Sequence, residues 1–140
     1  MTSSRHSEEN LAWLLSRAAH QLTRRLCAVL EAEGLTPGQW WVLDLLSDGA
    51  GHTMSEAADY AMLPAPTLTK AVDQLVAANP VSRRADRHDR RRVLIYLTTR
   101  GRRLHVRLAG KLGGIMDGAV DGAEVAQLTC LLLGVLQRLR

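Results

Sequence analysis

The chain has 140 residues, 46% of them hydrophobic, a formal net charge of +4 and two cysteines. That length can bury a core without disulfide or metal staples, and that apolar share excludes a disordered polypeptide. Aromatic residues are three Trp, two Tyr and no Phe, so the core must be built from Leu, Val and Ala, as in packed helices. The first ten residues, MTSSRHSEEN, are polar and do not read as a signal peptide, and no apolar run reaches the roughly 20 residues of a membrane span. Cys27 and Cys130 both sit in apolar helical patterns, the usage of a reduced cytoplasm. Residues 64–103 hold ten bases and three acids, a surplus of seven, whereas the remaining eight bases and eleven acids leave the rest at −3. One strongly basic segment in a near-neutral frame is the layout of a polyanion binder.

In chain order, Leu11, Leu14, Leu15, Ala18, Leu22, Leu26, Val29 and Leu30 recur at helical spacing, which predicts a long amphipathic helix over 10–33 stopped by Gly34. Thr36-Pro37-Gly38-Gln39 is a capping box with Pro at the first helical position, and it opens a helix carrying Trp40, Trp41, Leu43, Leu45 and Leu46. A second box, Thr53-Met54-Ser55-Glu56, opens a short helix through Ala57, Ala58 and Ala61. Met62-Leu63-Pro64-Ala65-Pro66 reads as a turn, because proline is excluded from a helix interior but accepted in its first turn. A helix over 66–78 follows, with Leu68, Ala71, Val72 and Leu75 on one stripe, ended by Asn79-Pro80. Residues 81–86 and 93–97 are predicted strands around a charge-dense hairpin tip. Thr98-Thr99 then caps a helix bearing Leu104, Leu108, Leu112, Ile115 and Met116. Asp121-Gly122-Ala123-Glu124 opens the last, with Leu128, Leu131, Leu132, Val135, Leu136 and Leu139. The expected order is α-α-α-α-β-β-α-α: a mainly α winged helix-turn-helix of six helices with a small β-hairpin wing.

A short helix, a tight turn and a second helix form a helix-turn-helix, whose second helix lies in the major groove. With Leu68, Val72 and Leu75 inward, Pro66, Thr69, Lys70, Asp73, Gln74 and Ala77 turn outward, and Thr67 lies at the edge of that face. Hydroxyls, an amide and a cation can reach base edges or phosphates; an ordinary solvated helix face would look the same. Asp73 would be repelled by phosphate and is expected to pair with an Arg at the start of the next strand. Arg83, Arg84, Arg87, Arg90 and Arg91 flank a loop short enough to project as a wing into a minor groove. Pairing with Asp86 and Asp89 could neutralise only part of that cluster. The apolar stripes of the first and last two helices are too broad for a small winged core, so a two-fold pairing of these helices is expected. The chain therefore divides into a dimerisation helix (1–34), a DNA-binding lobe (35–99) and C-terminal dimerisation helices (100–140).

Thr67-Leu68-Thr69-Lys70-Ala71-Val72-Asp73-Gln74-Leu75, Arg83-Arg84, Asp86-Arg87-His88-Asp89-Arg90-Arg91-Arg92 and Leu97-Thr98-Thr99-Arg100-Gly101 resemble the MarR family of bacterial regulators. Leu35-Thr36-Pro37-Gly38-Gln39-Trp40 is similar to the start of that family's second helix. The resemblance covers nearly the whole chain, with the specific signature running from the recognition helix through the wing. It implies a cytoplasmic homodimer with interlocked terminal helices, bound to double-stranded DNA at a pseudo-palindromic operator, usually a repressor relieved by a ligand or oxidant. It also implies Thr67, Thr69 and Lys70 at the major groove, Arg90 and Arg91 at the wing tip, and Asp89 bracing Arg91. Two positions depart from the pattern: Pro66, where Ser is common, and Asn79-Pro80, where Gly and an aliphatic residue are usual.

Other residues invite competing readings. Arg24 and Arg25 lie near Cys27, which would suit a redox sensor, although relatives that sense peroxide carry their cysteine near Ala12 of this chain and buried inert thiols are commoner. The five histidines show no paired metal spacing, and neither a metal nor a cofactor is expected. Trp13, Trp40 and Trp41, with Arg17 and His20 as polar anchors, could line a crevice for a small anionic or aromatic effector; plain core is the alternative. No phosphate loop, nucleophile elbow or spaced carboxylate pair supports an enzyme. A non-specific nucleic-acid binder, or an adaptor whose basic hairpin meets acidic partners, stands beside the specific regulator.

Overall fold

The computed structural model describes residues 2–140, with side chains described from Asn10 onward. Helix α1 (Thr2–Glu31) starts earlier than its apolar stripe, which only begins at Leu11. It ends in a turn whose Gly34 has φ +70°. Helix α2 (Pro37–Leu46) opens on the expected box: Thr36 accepts from the Gln39 amide, and the Gln39 side chain accepts from the Thr36 amide. Then come β1 (His52–Thr53), α3 (Met54–Ala61), α4 (Ala65–Ala77), β2 (Val81–Ala85), β3 (Val93–Leu97), α5 (Thr99–Leu112) and α6 (Gly122–Arg138).

The strand β1 was not expected. Two residues are too few for an alternating pattern, and the strand exists only through its pairing with β3, His52 opposite Ile95 and Thr53 opposite Leu94. The sheet is therefore three-stranded and antiparallel, in the order β1-β3-β2. The second capping box is half formed: Thr53 caps the Glu56 amide, but the Glu56 carboxylate turns to His52 and Arg92 instead. The helix-turn-helix corner also uses a residue that carries no turn signal. Met62 adopts φ 57°, and the left-handed residue lets Leu63 N–H close back on the Ala58 carbonyl at 3.0 Å.

The core lies where α2, α3 and α4 meet the inner face of the sheet. Leu43, Leu46, Leu68, Val72, Leu75 and Ile95 are all essentially inaccessible, and Leu26, Leu30 and Leu108 extend this core into α1 and α5. Each such side chain contributes about 1.5–3 kcal/mol by leaving water. By contrast α6 buries none of its residues, and α1 is exposed along Leu11, Trp13, Leu14 and Leu15.

Helix α5 is pinned directly against the turn that follows α4. Thr98 accepts from the Gly101 amide and donates its hydroxyl to the Asn79 carbonyl, while its own amide donates to Pro80 O at 3.0 Å. A Cβ on Gly101 would lie 2.0 Å from that same Pro80 oxygen, so only glycine permits the approach. Gly101→Ala is predicted to destabilise the fold by about 1–3 kcal/mol or more in denaturant unfolding. Gly110→Ala, in open space on the same helix, should instead gain up to about 1 kcal/mol.

Candidate nucleic-acid interface

Helix α4 buries Leu68, Ala71, Val72 and Leu75, which fixes its rotation and leaves Pro66, Thr67, Thr69, Lys70 and Asp73 exposed. The N-cap is Pro64, with no side-chain cap; Pro66 in the first turn lacks an N–H and so removes one orphan donor. The Thr69 hydroxyl donates back to the Ala65 carbonyl at 3.0 Å, which leaves its lone pairs outward as acceptors. Gln74 is exposed but not unengaged: its Oε1 accepts from the Gln39 amide at 2.9 Å, tying α4 to α2.

The wing is organised by β2 and β3, which pair over five residues from Val81–Leu97 to Ala85–Val93. Alternation places Val81 and Arg83 on the face of Ile95 and Leu97, towards the helices, and Arg84 on the opposite face with Leu94 and Tyr96. Arg83 pairs with Asp73, so the acid on the recognition helix is neutralised by a strand arginine and orients it. Arg84 instead lies over the Tyr96 ring, 5.4 Å from its centroid, on the far face of the sheet. The two adjacent arginines therefore point in opposite directions.

At the tip the acids hold backbone rather than guanidinium groups. Asp86 accepts from the His88 amide at 3.0 Å and Asp89 from the Arg91 amide at 3.1 Å. Asp89 thus meets Arg91 through the backbone amide, and the cause is local: a short carboxylate bonds its own backbone two residues on. Among the described residues Arg87, Arg90 and Arg91 have no ion-pair partner, and all three are exposed. Arg92 is drawn away to Glu56.

At the base of the wing His52 is held between two carboxylates, Nε2 to Asp48 and Nδ1 to Glu56, each at 2.7 Å. Burial disfavours its charged form, but the two carboxylates outweigh burial and raise its pKa. Asp48 is lowered, first by the Ala50 amide and then by His52. Glu56 is lowered chiefly by His52. A further polar cluster joins three helices: Asp44 on α2 accepts from Tyr60 at 2.7 Å and lies 3.0 Å from His105 Nε2, and Trp40 stacks on that imidazole at 5.1 Å. Burial, then Asp44, pushes the Tyr60 hydroxyl up to about 12. Neither cluster follows from the pattern of one helix: Asp48, His52 and Glu56 recur at every fourth position but span a turn, a strand and a helix, and Asp44, Tyr60 and His105 come from three helices.

The crevice expected for an effector is not assembled from its five residues. Trp40 is core, Trp41 is half-buried with its ring 6.4 Å from that of Trp40, and Trp13, Arg17 and His20 are exposed on α1. None of the five lines the groove of about 580 Å³ that lies between α2, α4 and α5. In the single chain Cys27 is half-buried and Cys130 exposed. No described helix is long and apolar enough to cross a membrane.

A recognition helix, a turn and a basic three-stranded wing define a winged helix-turn-helix DNA-binding protein. A model described as MarR family matches residues 33–92. The transcriptional regulator FarR of Neisseria gonorrhoeae is 29% identical over 88% of this chain and 80% of its own length. TtmR of Methylorubrum extorquens is 34% identical over 81% of this chain, which spans 60% of TtmR. The structure of an E. coli MarR cysteine variant complexed with operator DNA superposes with a TM-score of 0.76 at 27% identity, covering 90% or more of both chains (91% and 94%). Residues 33–92 therefore carry a MarR-family DNA-binding domain, and over most of its length the chain is similar to transcriptional regulators of that family.

The geometry at His52 makes a pH prediction. A raised histidine pKa gives stability that is present below the unfolded value of about 6.5 and lost as pH rises through the folded value. The lowered Asp48 and Glu56 give stability present above about 4 and lost in acid. His52→Gln should therefore cost more stability near pH 5.5 than near pH 8.5; an equal cost at both would show that the imidazole is held uncharged.

Proposed function

We propose that the protein is a repressor that binds a pseudo-palindromic operator as a homodimer and releases it on binding a small effector. The observation that carries the reading is one surface: the exposed Pro66, Thr67, Thr69 and Lys70 of α4 lie on the lobe whose wing presents Arg87, Arg90 and Arg91 without partners. Thr67, Thr69 and Lys70 would meet base edges and phosphates in the major groove, and the wing arginines the adjacent minor groove. Arg83, held by Asp73, would supply a fixed cation between them. Arg84 would serve from the outer face of the wing, and Gln74 as a link to α2 more than as a reader.

The homodimer is supported by apolar surface that the single chain leaves in water. Leu11, Trp13, Leu14 and Leu15 on α1, and Leu131, Leu133 and Leu136 on α6, are between 38% and 60% exposed. Covering such faces across a two-fold would place two recognition helices about one DNA turn apart. A cytoplasmic location accords with this role. An oxidant acting on Cys27 or Cys130 is the alternative trigger.

The test is selection of bound fragments from random DNA at about 150 mM salt, then titration against scrambled competitor. A two-fold sequence with half-sites about one turn apart should be enriched. Thr69→Ala/Lys70→Ala should lower the preference for that sequence over competitor by about tenfold or more. Arg90→Gln/Arg91→Gln should weaken all sequences and reduce the slope of log affinity against log salt by about two. Binding without sequence preference would leave only the second reading, a non-specific electrostatic contact.

A further inference from the structure

Four charged side chains at the base of the wing stand in one row. Asp48 meets Nε2 of His52 and Glu56 meets its Nδ1, each at 2.7 Å, and the other oxygen of Glu56 reaches Arg92 at 3.5 Å. The row runs from the turn after α2 through β1 and the first turn of α3 to the end of the hairpin tip. On β3 the residue opposite His52 is Ile95, apolar and buried. Among the described residues, Asp48 and Glu56 are therefore the charged groups bonded to the imidazole, with Arg92 one step beyond.

This arrangement demands a proton. A neutral imidazole has one N–H donor and one lone pair, so it donates to one carboxylate and turns its lone pair on the other. Both bonds hold together only in the imidazolium, which has a donor on each nitrogen. The His52 side chain is 16% exposed, which leaves little room for water to replace a lost bond. With the proton, two carboxylates face two cations and the row is neutral. Without it, one uncompensated negative charge stays at the base of the wing.

Arg92 carries that difference to the DNA-facing surface. Its carbonyl accepts from the Asp86 amide at 2.8 Å and its amide donates to the Asp89 carbonyl at 3.0 Å. Its backbone thus closes the tip that presents Arg87, Arg90 and Arg91. Thr53, the neighbour of His52, pairs with Leu94 two residues further along. From this array we infer that His52 is a positioning residue of the DNA interface: as the imidazolium it holds Glu56 and, through Arg92, the base of the wing, and loss of its proton weakens DNA binding. The inference rests on the lobe meeting DNA, whatever sequence it selects. A polyanion beside the wing favours the neutral row over the negative one, so binding takes up a proton. The added affinity is fully present below the pKa of His52 in the free protein and is lost as pH rises through that of the complex. Burial lowers the free value, but Asp48 and Glu56 raise it further, to above the ordinary 6.5. The decline therefore falls in neutral to mildly alkaline solution.

Fluorescence anisotropy of a labelled mixed-sequence duplex, of about 30 base pairs, reads the effect at a constant ionic strength of about 0.1 M. The chain tested carries His88→Gln, which removes the histidine at the wing tip. Its affinity should fall about three- to tenfold between about pH 6 and about pH 8.5. Adding His52→Gln should reduce that fall to less than about twofold. Imidazole ¹⁵N signals of the unaltered chain give a reading that needs no variant. Both ring nitrogens of His52 should carry protons at about pH 6.5, and saturating duplex should raise its pKa. A fall of the same size in the double variant, with affinity lowered alike at both pH values, is what a merely structural histidine would give and would overturn the assignment. A bare ring nitrogen at about pH 6.5, or a His52 pKa unmoved by duplex, would overturn it as well. None of these outcomes depends on a preferred operator, so the sequence-specific reading stands or falls separately.

Discussion

The burial of three side chains of α4, Leu68, Val72 and Leu75, is the constraint on which the rest depends. Together they remove from water an apolar stripe worth several kcal/mol at about 1.5–3 kcal/mol each. The Asp73–Arg83 pair joins half-exposed groups and contributes about 0–1 kcal/mol. Packing therefore sets the rotation of the recognition helix, and the ion pair only trims the direction of one arginine. Once that rotation is fixed, Thr67, Thr69 and Lys70 face solvent, and the five-residue register of β2 with β3 carries the wing out beside them.

Much of this architecture was legible because the local signals agree with the tertiary outcome. The Thr36–Gln39 and Asp121–Glu124 boxes open helices where spacing said they should, and the alternation of residues 93–97 yields a strand. The Asp73–Arg83 pairing followed from charge alone, since an acid on a face meant for phosphate needs a cation. What escaped was decided between elements rather than within one. β1 is two residues long and owes its existence to β3; Met62 takes a left-handed conformation because the α3–α4 corner requires one; Glu56 leaves its capping role for His52 and Arg92.

The candidate site shows the same division. Periodicity correctly placed Pro66, Thr69 and Lys70 outward, but it could not show that Gln74 turns to Gln39 or that adjacent Arg83 and Arg84 serve opposite faces of the sheet. Tryptophan was the weakest guide. Trp40 is spent on the core and on His105, while Trp13 stands in solvent on α1. Side-chain type alone cannot distinguish a packed indole from an exposed one.

The lobe is proposed to meet DNA with the first turns of α4 and the tip of the wing, as one surface. Hydrogen exchange, compared between the free protein and the protein saturated with its selected duplex, tests that claim most directly. It predicts slowed exchange in peptides covering residues 64–73 and 85–93, together. Protection confined to the wing, with α4 exchanging as in the free protein, would contradict it.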